Sequence, residues 1–137
     1  MLTAVLIAAL TTTPGDRWPA FRGDGTSLSA ATKLPTEWND TTNIAWSVSI
    51  PGYGQSSPVV WGDRVFVTSA DGEEKDRLLV SCFTMATGEK LWTKEFSGTQ
   101  KVKVSDYVSR GAPTPVVDAE RVYAFFESGD LVALSHA

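Results

Sequence analysis

The sequence predicts an all-β fold of the β-propeller class, built from repeated four-stranded sheets. Three observations support this prediction: short β-branched and aromatic runs separated by turns, an internal repeat, and a tryptophan in register with each repeat unit. No segment shows a sustained helical period. Units of about forty-five residues with four strands each have the spacing of propeller blades, and a closed ring needs at least about four of them.

The strands are predicted from residue 44 onward. Each run is rich in Val, Ile, Phe, Tyr, Trp or Thr and is bounded by turn-forming residues. Trp61-Gly62-Asp63 and Asp118-Ala119-Glu120 each join two apolar runs, so we expect tight antiparallel hairpins there. The expected strands are residues 44–50, 57–61, 64–69, 78–84, 89–96, 114–117, 121–126 and 130–135.

The repeat is visible by direct superposition. "SPVVWGDRVFVTSADG" begins at Ser57, and "TPVVDAERVYAFFESG" begins 57 residues later at Thr114. "IAWSVSI" and "KLWTKEF" superpose Trp46 on Trp92, and "CFTMATG" superposes on "ALSHA". A β-sandwich with hairpins that look alike by chance is the alternative, but a sandwich does not require a tryptophan in register with each unit.

The N-terminal region differs from the rest. Residues 1–14 contain the uncharged, apolar "MLTAVLIAAL", which predicts a secretory signal peptide and a secreted or periplasmic protein. The apolar run is too short to span a bilayer core of about 30 Å, so no membrane span is expected. A mis-assigned start or an unstructured tail is the alternative.

Residues 15–43 are rich in Gly, Pro, Asp, Asn, Ser and Thr. This composition predicts an extended N-terminal arm or a set of turns, with Trp18, Phe21 and Trp38 as its anchors. Residues 44–137 form the partial propeller.

Composition excludes several classes of function. The net charge of −4 and the lack of a clustered Lys/Arg stripe exclude nucleic acid as a partner. Cys82 is the single cysteine, so neither an intramolecular disulfide nor a CxxC pair can form. We expect Cys82 to pack in the interior as a small hydrophobic residue.

Three segments of the sequence resemble those of a known protein family. "CFTMATGEKLW" is similar to the A-x-D-x-x-T-G-x-x-x-W signature of the pyrroloquinoline-quinone-like (PQQ-like) propeller repeat. "WPAFRGDG" and "NIAWSVSIPGYGQSSPVV" resemble the start of secreted bacterial proteins built from this repeat. The resemblance extends over essentially everything after residue 14.

The resemblance implies how the blades dock and how many there are. The blade-docking residues it implies are Trp46, Thr84, Thr87, Gly88 and Trp92. Thr84 stands where the signature has Asp, which keeps a hydroxyl for the turn but loses a charge-assisted hydrogen bond. The family's rings commonly close with about eight blades, of which this chain supplies about two. The remaining blades of a longer chain are therefore expected partners.

No catalytic residue and no metal site are identified. His136 is the single histidine and lies one residue from the end, so it does not support a hydrolytic triad. Four carboxylates between Asp71 and Asp76 lack the spacing of an EF-hand loop and are expected to be a solvated hairpin. Similar quinoprotein dehydrogenases hold PQQ and calcium, which we expect only in a full-length protein.

The two connections between blades supply the candidate contact residues. Residues 51–56 make the first crossing, while the second takes residues 97–113, a length typical of functional loops. Tyr53, Gln55, Tyr107 and Arg110 are the candidates for contact with a protein partner or a small-molecule ligand. The alternative is that Tyr107 packs over the blade and Arg110 caps a carbonyl group.

These observations favour a non-catalytic binding or assembly scaffold of the secreted PQQ-like type. The alternative is the N-terminal part of a PQQ-dependent alcohol or polyvinyl-alcohol dehydrogenase. A sensor or kinase-linked propeller would require a further domain. The resemblance alone does not decide between them, because a blade-docking repeat specifies a fold rather than a reaction.

Overall fold

The computed structural model of the chain describes residues 2–6, 17–29, 31–100 and 107–137. Within these ranges the fold is all-β, as predicted, and consists of antiparallel sheets of five, three and two strands. The strands are β1 (Leu2–Leu6), β2 (Arg17–Trp18), β3 (Trp46–Ile50), β4 (Val59–Trp61), β5 (Arg64–Asp71), β6 (Arg77–Thr84), β7 (Lys90–Ser97), β8 (Val116–Val117), β9 (Arg121–Phe125) and β10 (Leu131–Ser135).

The first blade is the meander of β4, β5, β6 and β7, and the larger sheet has the order β2-β4-β5-β6-β7. β4 and β5 are joined by a tight turn that pairs Trp61 with Arg64. Gly62 lies in that turn with a φ of 59°, a conformation that glycine adopts without steric cost. β6 and β7 pair over most of their length, with one register shift between Cys82 and Phe83. The four strands predicted for this unit are all present.

The second blade is the three-stranded sheet β8-β9-β10, and it repeats the pairing of the first. Val116 pairs with Tyr123, as Val59 pairs with Phe66 in the first blade. The repeat read from the sequence is therefore a repeat of backbone register. Together with the open, unclosed sheets, this repeated register is that of two neighbouring blades of an incomplete β-propeller, as predicted.

The core lies between the sheets. β5 and β6 are buried along nearly their whole length, so their apolar runs are continuous rather than alternating. One face of the first blade packs against the second blade through Val59, Phe66, Ala70, Leu78, Val80, Cys82, Val117, Val122, Ala124 and Phe126. The opposite face packs around Ile50, Val60, Val65, Val67 and Phe83, with Trp18 and Trp46 at its margin.

The N-terminal arm is only partly as expected. Arg17 and Trp18 form the short strand β2 on β4, and Trp18 packs at the margin of the core. The prediction that Phe21 and Trp38 are anchors is wrong, because they are 58% and 56% exposed. The arm is held by local Asx-type hydrogen bonds, such as Thr26 N to Asp24 Oδ1 at 2.9 Å, which order turns without burying side chains.

β1 pairs with β3 in an antiparallel ladder that joins Leu2 to Ile50 and Leu6 to Trp46. The predicted signal peptide includes this strand, but residues 7–16 lie outside the described ranges. Cleavage and export therefore stay predictions.

Candidate functional site

The first crossing connects β3 to β4 and runs directly against the end of β5. Tyr53 N donates to Ala70 O at 2.8 Å, and Ala70 N donates to Tyr53 O at 2.9 Å. A Cβ on Gly52 would lie 2.3 Å from Ala70 O, and Gly52 has a φ of +72°. Only glycine permits this close approach of two backbones.

The second crossing is bonded to the first through Ser109 and Gln55. Ser109 Oγ donates to Tyr53 O at 2.6 Å, and Ser109 N donates to Gln55 Oε1 at 2.9 Å. Gln55 Nε2 donates to Tyr107 O at 3.0 Å. The structure thus brings together three of the predicted contact residues, Tyr53, Gln55 and Tyr107. Both the nitrogen and the oxygen of the Gln55 side-chain amide form hydrogen bonds.

Buried hydroxyl groups fasten the second crossing to β5. Thr68 Oγ1 donates to Gly111 O at 3.0 Å, and Ser109 Oγ accepts from Gly111 N at 3.1 Å. Gly111 lies so close to β5 that a Cβ there would be 2.9 Å from Ser69 Cα. Sequence reasoning missed Thr68 and Ser109, because a lone Thr in a strand or Ser in a loop carries no pattern that identifies its partner.

We call the exposed part of the two crossings, formed by Tyr53, Gln55, Tyr107 and Val108, the crossing surface. Tyr107 is 86% exposed and Val108 is 46% exposed. Arg110 differs from the other candidates, because it is buried, with only 4% of its surface exposed. The crossing surface offers an aromatic contact on a hydrogen-bonded base, which suits binding.

Asp130 fixes the beginning of the second crossing. Its carboxylate accepts hydrogen bonds from Thr99 Oγ1 at 2.7 Å, from Thr99 N at 3.0 Å and from Ser128 Oγ at 2.7 Å. The hydrogen bond from the Thr99 side chain, followed by that from its backbone and then that from Ser128, lowers the pKa of Asp130 below its ordinary value. The β9–β10 turn thereby holds Thr99, at the beginning of the second crossing, in place.

The tryptophans of β3 and β7 make equivalent contacts with the next blade. Trp46 Nε1 donates to Met85 O at 2.8 Å, and Trp92 Nε1 donates to His136 O at 3.1 Å. Met85 directly follows β6, and His136 directly follows β10. Each indole therefore reaches the carbonyl group that follows the third strand of the neighbouring blade.

The turn that receives Trp46 is shaped by the other residues of the repeat signature. Thr84 and Thr87 share a hydrogen bond of 2.6 Å between their hydroxyl groups, and Glu89 N donates to Thr84 Oγ1 at 3.2 Å. A Cβ on Gly88 would lie 2.5 Å from the Trp46 indole, and Gly88 has a φ of +70°. The signature glycine is thus required both by its φ and by the ring against it.

The charged hairpin between β5 and β6 is organised by Arg77. Its guanidinium donates to both carboxylate oxygens of Glu95, at 2.9 and 2.8 Å, and to Asp71 Oδ2 at 3.0 Å. The Arg77 hydrogen bonds lower the pKa of Glu95.

In the part of the chain that the structure describes, no three His, Cys, Asp or Glu residues form a group that could hold a metal ion. Burial raises the pKa of the Cys82 thiol.

The residues that the structure describes include no helix long and apolar enough to span a bilayer.

Comparison of the sequence with known protein families finds one match. The family model described as outer membrane protein assembly factor BamB matches residues 8–137. No curated protein matches the chain. The matched range includes both blades, the two crossings and both tryptophan contacts, so the match and the repeated register describe the same residues. The chain therefore belongs to the BamB family of PQQ-like repeat proteins.

Proposed function

We propose that this chain is a non-catalytic binding or assembly scaffold that contacts a protein partner through the crossing surface. The observation that carries the proposal is Tyr107, an aromatic side chain 86% exposed at the meeting point of two crossings. Tyrosine is enriched at the centres of protein interfaces, because it has a large contact area and a polar tip.

The hydrogen bonds beneath Tyr107 support this reading. Gln55 binds the backbone of the second crossing at both ends of its amide, and Ser109 joins the two crossings. These groups already form hydrogen bonds within the protein, so their main effect is to fix the backbone of residues 107–109. A preordered loop loses less conformational entropy when a partner binds.

Family membership and the N-terminal sequence support the location. The matched family is described by a role in outer membrane protein assembly, and the apolar run before residue 14 is typical of an export signal. We therefore propose a secreted or periplasmic protein whose partners are proteins of the cell envelope. A small-molecule ligand at the same surface is the less favoured occupant.

Site-specific photo-cross-linking tests the proposal. A benzophenone amino acid replaces Tyr107, and a matched protein carries it in place of Leu91, which is 40% exposed on β7. Irradiation in an envelope extract is expected to give a discrete protein adduct from position 107 and none from position 91. Adducts at both positions, or at neither, would argue against a specific contact at the crossing surface.

The competing function is that of a PQQ-dependent dehydrogenase. The measurement is a titration of the full-length product with PQQ and calcium, followed by tryptophan fluorescence and by dye-linked alcohol oxidation. The scaffold proposal predicts no saturable quenching and no oxidation. Saturable quenching together with alcohol oxidation would support the dehydrogenase and reject the scaffold.

A further inference from the structure

A tight turn in the N-terminal arm carries an asparagine at the protein surface. Asn39 and Thr42 pair in an antiparallel bridge, in which Asn39 N donates to Thr42 O and Thr42 N donates to Asn39 O, both at 3.1 Å. Asp40 and Thr41 form the tip of the turn, and all four residues are exposed. A large enzyme can therefore reach the tip without displacing any strand of the two blades.

The asparagine begins the pattern Asn-x-Ser/Thr, in which x is any residue except proline. Asn39-Asp40-Thr41 satisfies this pattern. It is the acceptor sequence for N-linked glycosylation of surface loops in secreted proteins. A three-residue pattern is common by chance, so the geometry of the turn decides whether this asparagine is a suitable acceptor.

The Thr41 hydroxyl lies against the Asn39 side chain. Thr41 N and Thr41 Oγ1 both donate to Asn39 Oδ1, each at 3.0 Å. These two bonds hold the carboxamide oxygen inside the turn. The amide nitrogen Nδ2 is on the other side of the same planar group, so it points away from both donors. A sugar donor can then approach Nδ2 while the hydroxyl stays beside the amide.

Asn43, the second asparagine of the sequence, differs in both respects. Asn43 Nδ2 donates to Glu37 O at 2.8 Å, so its amide nitrogen is bonded to the backbone. The residue two positions after Asn43 is Ala45, which has no hydroxyl group. The arm thus contains one asparagine that suits glycosylation and one that serves as an internal control.

Exposed carboxylates flank the acceptor. Glu37 lies two positions before Asn39 and Asp40 one position after it, and both are exposed. The bond from Asn43 to Glu37 O fixes the backbone that carries the Glu37 carboxylate. A carboxylate beside the acceptor can accept charge-assisted hydrogen bonds from an arginine of the enzyme.

We propose that Asn39 is the acceptor of an N-linked glycan, transferred by a bacterial oligosaccharyltransferase that recognises the Thr41 hydroxyl and the Glu37 carboxylate. The donor is an oligosaccharide linked to a polyprenyl pyrophosphate. This inference goes beyond the crossing surface, but it rests on the export proposed above, because the pattern is used on secreted proteins.

The transfer is a substitution at the anomeric carbon of the first sugar. Asn39 Nδ2 forms a bond to that carbon, while the bond from the carbon to the pyrophosphate oxygen breaks and its electron pair leaves with the lipid pyrophosphate. One of the two Nδ2 protons passes to a base of the transferase. The products are a glycosylated amide that keeps one N–H and a polyprenyl pyrophosphate, and nothing is oxidised or reduced.

The first test is mass spectrometry of the protein isolated from the envelope of the cells that make it. Trypsin releases residues 34–64 as one peptide, because Lys33 and Arg64 bound a segment without Lys or Arg. Fragmentation of this peptide is expected to locate one glycan on Asn39 and none on Asn43. An exported chain without a glycan on Asn39 would overturn the proposal. A chain retained in the cytoplasm would instead contradict the proposed export, and the second test then decides the acceptor.

The second test uses purified components and does not depend on export. The folded chain is incubated with a bacterial oligosaccharyltransferase and a synthetic polyprenyl-pyrophosphate-linked oligosaccharide. The intact mass is expected to rise by one oligosaccharide, and Asn39→Gln should show no increase. Absence of transfer to the wild-type chain, or transfer that persists in Asn39→Gln, would overturn the proposal.

Thr41→Val and Thr42→Val are matched variants for the hydroxyl group. Each replaces a hydroxyl by a methyl group at an exposed position, but only Thr41 lies two positions after Asn39. Thr41→Val is expected to abolish transfer, and Thr42→Val is expected to leave it intact. Loss in both variants, or in neither, would reject recognition of the Thr41 hydroxyl. Circular dichroism verifies that each variant keeps its sheets.

Glu37→Gln and Asp40→Gln test the carboxylate in the same reaction. Each removes one negative charge beside the acceptor. Glu37→Gln is expected to lower the rate of transfer several-fold, as for loss of a charge pair with the enzyme, and Asp40→Gln to leave it nearly unchanged. Equal losses, or no loss in Glu37→Gln, would overturn the proposed contact of Glu37. Cross-linking at position 107 does not depend on any of these outcomes.

Discussion

The two blades are built from the same repeat but differ in how many of their faces are buried. Val59 and Val116 hold equivalent positions, yet Val59 is 0% and Val116 is 48% exposed. The first blade packs against β3 on one side and the second blade on the other. The second blade has one face covered by the first blade, whereas its other face, which carries Val116, is open. Similar sequences are therefore buried to different extents, because burial in a propeller comes from neighbouring blades.

The largest expected effect comes from the residue at the centre of the contact between blades. Phe66 is fully buried and lies 5.9 Å from the Trp92 ring and 5.1 Å from the His136 ring. Phe66→Ala is expected to lower the free energy of unfolding by about 3–5 kcal/mol, through lost transfer energy and the cavity left behind. Urea denaturation measures this loss.

Phe125→Ala is the matched control for Phe66→Ala. Phe125 lies on the open face and is 48% exposed, so its truncation is expected to cost under about 1 kcal/mol. Similar losses for the two variants would mean that the blades do not pack as described.

A smaller effect is expected at the docking turn. Gly88→Ala and Gly129→Ala both place a methyl group at a positive φ, of +70° and +87°, which costs about 1–2 kcal/mol. Only at Gly88 does the methyl group also meet the Trp46 indole, at 2.5 Å, whereas at Gly129 nothing lies within 4 Å. We expect Gly88→Ala to destabilise the protein more than Gly129→Ala and to shift tryptophan fluorescence. Equal losses of stability for the two variants would contradict the contact between Trp46 and this turn.

Next in size is the direct comparison of equivalent valines. Val59→Ala removes two buried methyl groups and is expected to cost about 2 kcal/mol, whereas Val116→Ala should change the free energy of unfolding by under about 0.5 kcal/mol. Urea denaturation measures both losses, and equal losses for the two variants would mean that the two positions are equally buried.

The smallest expected effect is the pH dependence of the second crossing. Because hydrogen bonds lower the pKa of Asp130 in the folded state, its contribution to stability is complete above the pKa of the unfolded chain, about 4. It is lost as pH falls through the lower folded pKa. The stability difference between wild type and Asp130→Asn should therefore shrink on acidification, as measured by urea denaturation between about pH 6 and 2.5.

Thr99→Val is the companion variant for Asp130. It removes the hydroxyl donor that contributes most to the lowered pKa. In the Thr99→Val background the pH dependence due to Asp130→Asn should be reduced. If the pH dependence of the stability difference stayed the same in the Thr99→Val background, the Thr99 hydroxyl would not be the group that lowers the pKa of Asp130.

The sequence was sufficient to predict the blades, because their signal is local and repeated. The strands from β4 to β7 were predicted within about two residues of their observed bounds, since buried β-branched runs between turns leave few alternatives. The shared register of Val59–Phe66 and Val116–Tyr123 was implicit in the Pro-Val-Val and Arg-Val-aromatic repeat.

The contacts of the N-terminal region and the crossings could not be predicted in this way. β2 is two residues long and has no period. Phe21 and Trp38 were expected to be anchors because they are aromatic, but burial depends on which surfaces are nearby.

Ser109 reaches Tyr53 across 56 residues, and such a bond depends on the path of a long loop that no local pattern records. The pairing of Leu2–Leu6 with β3 was hidden because a short apolar run fits a leader as well as a strand.

The two blades pack face to face, with His136, directly after β10, against Phe66 of β5. Nuclear Overhauser spectroscopy of the wild-type chain tests this packing most directly. Face-to-face packing predicts cross-peaks between the ring protons of Phe66 and His136, whose centroids are 5.1 Å apart, and protection of the Trp92 indole N–H from exchange. Absence of those cross-peaks, together with strand-to-strand backbone contacts between Val59 and Val116, would place both Pro-Val-Val segments in one sheet and contradict the propeller.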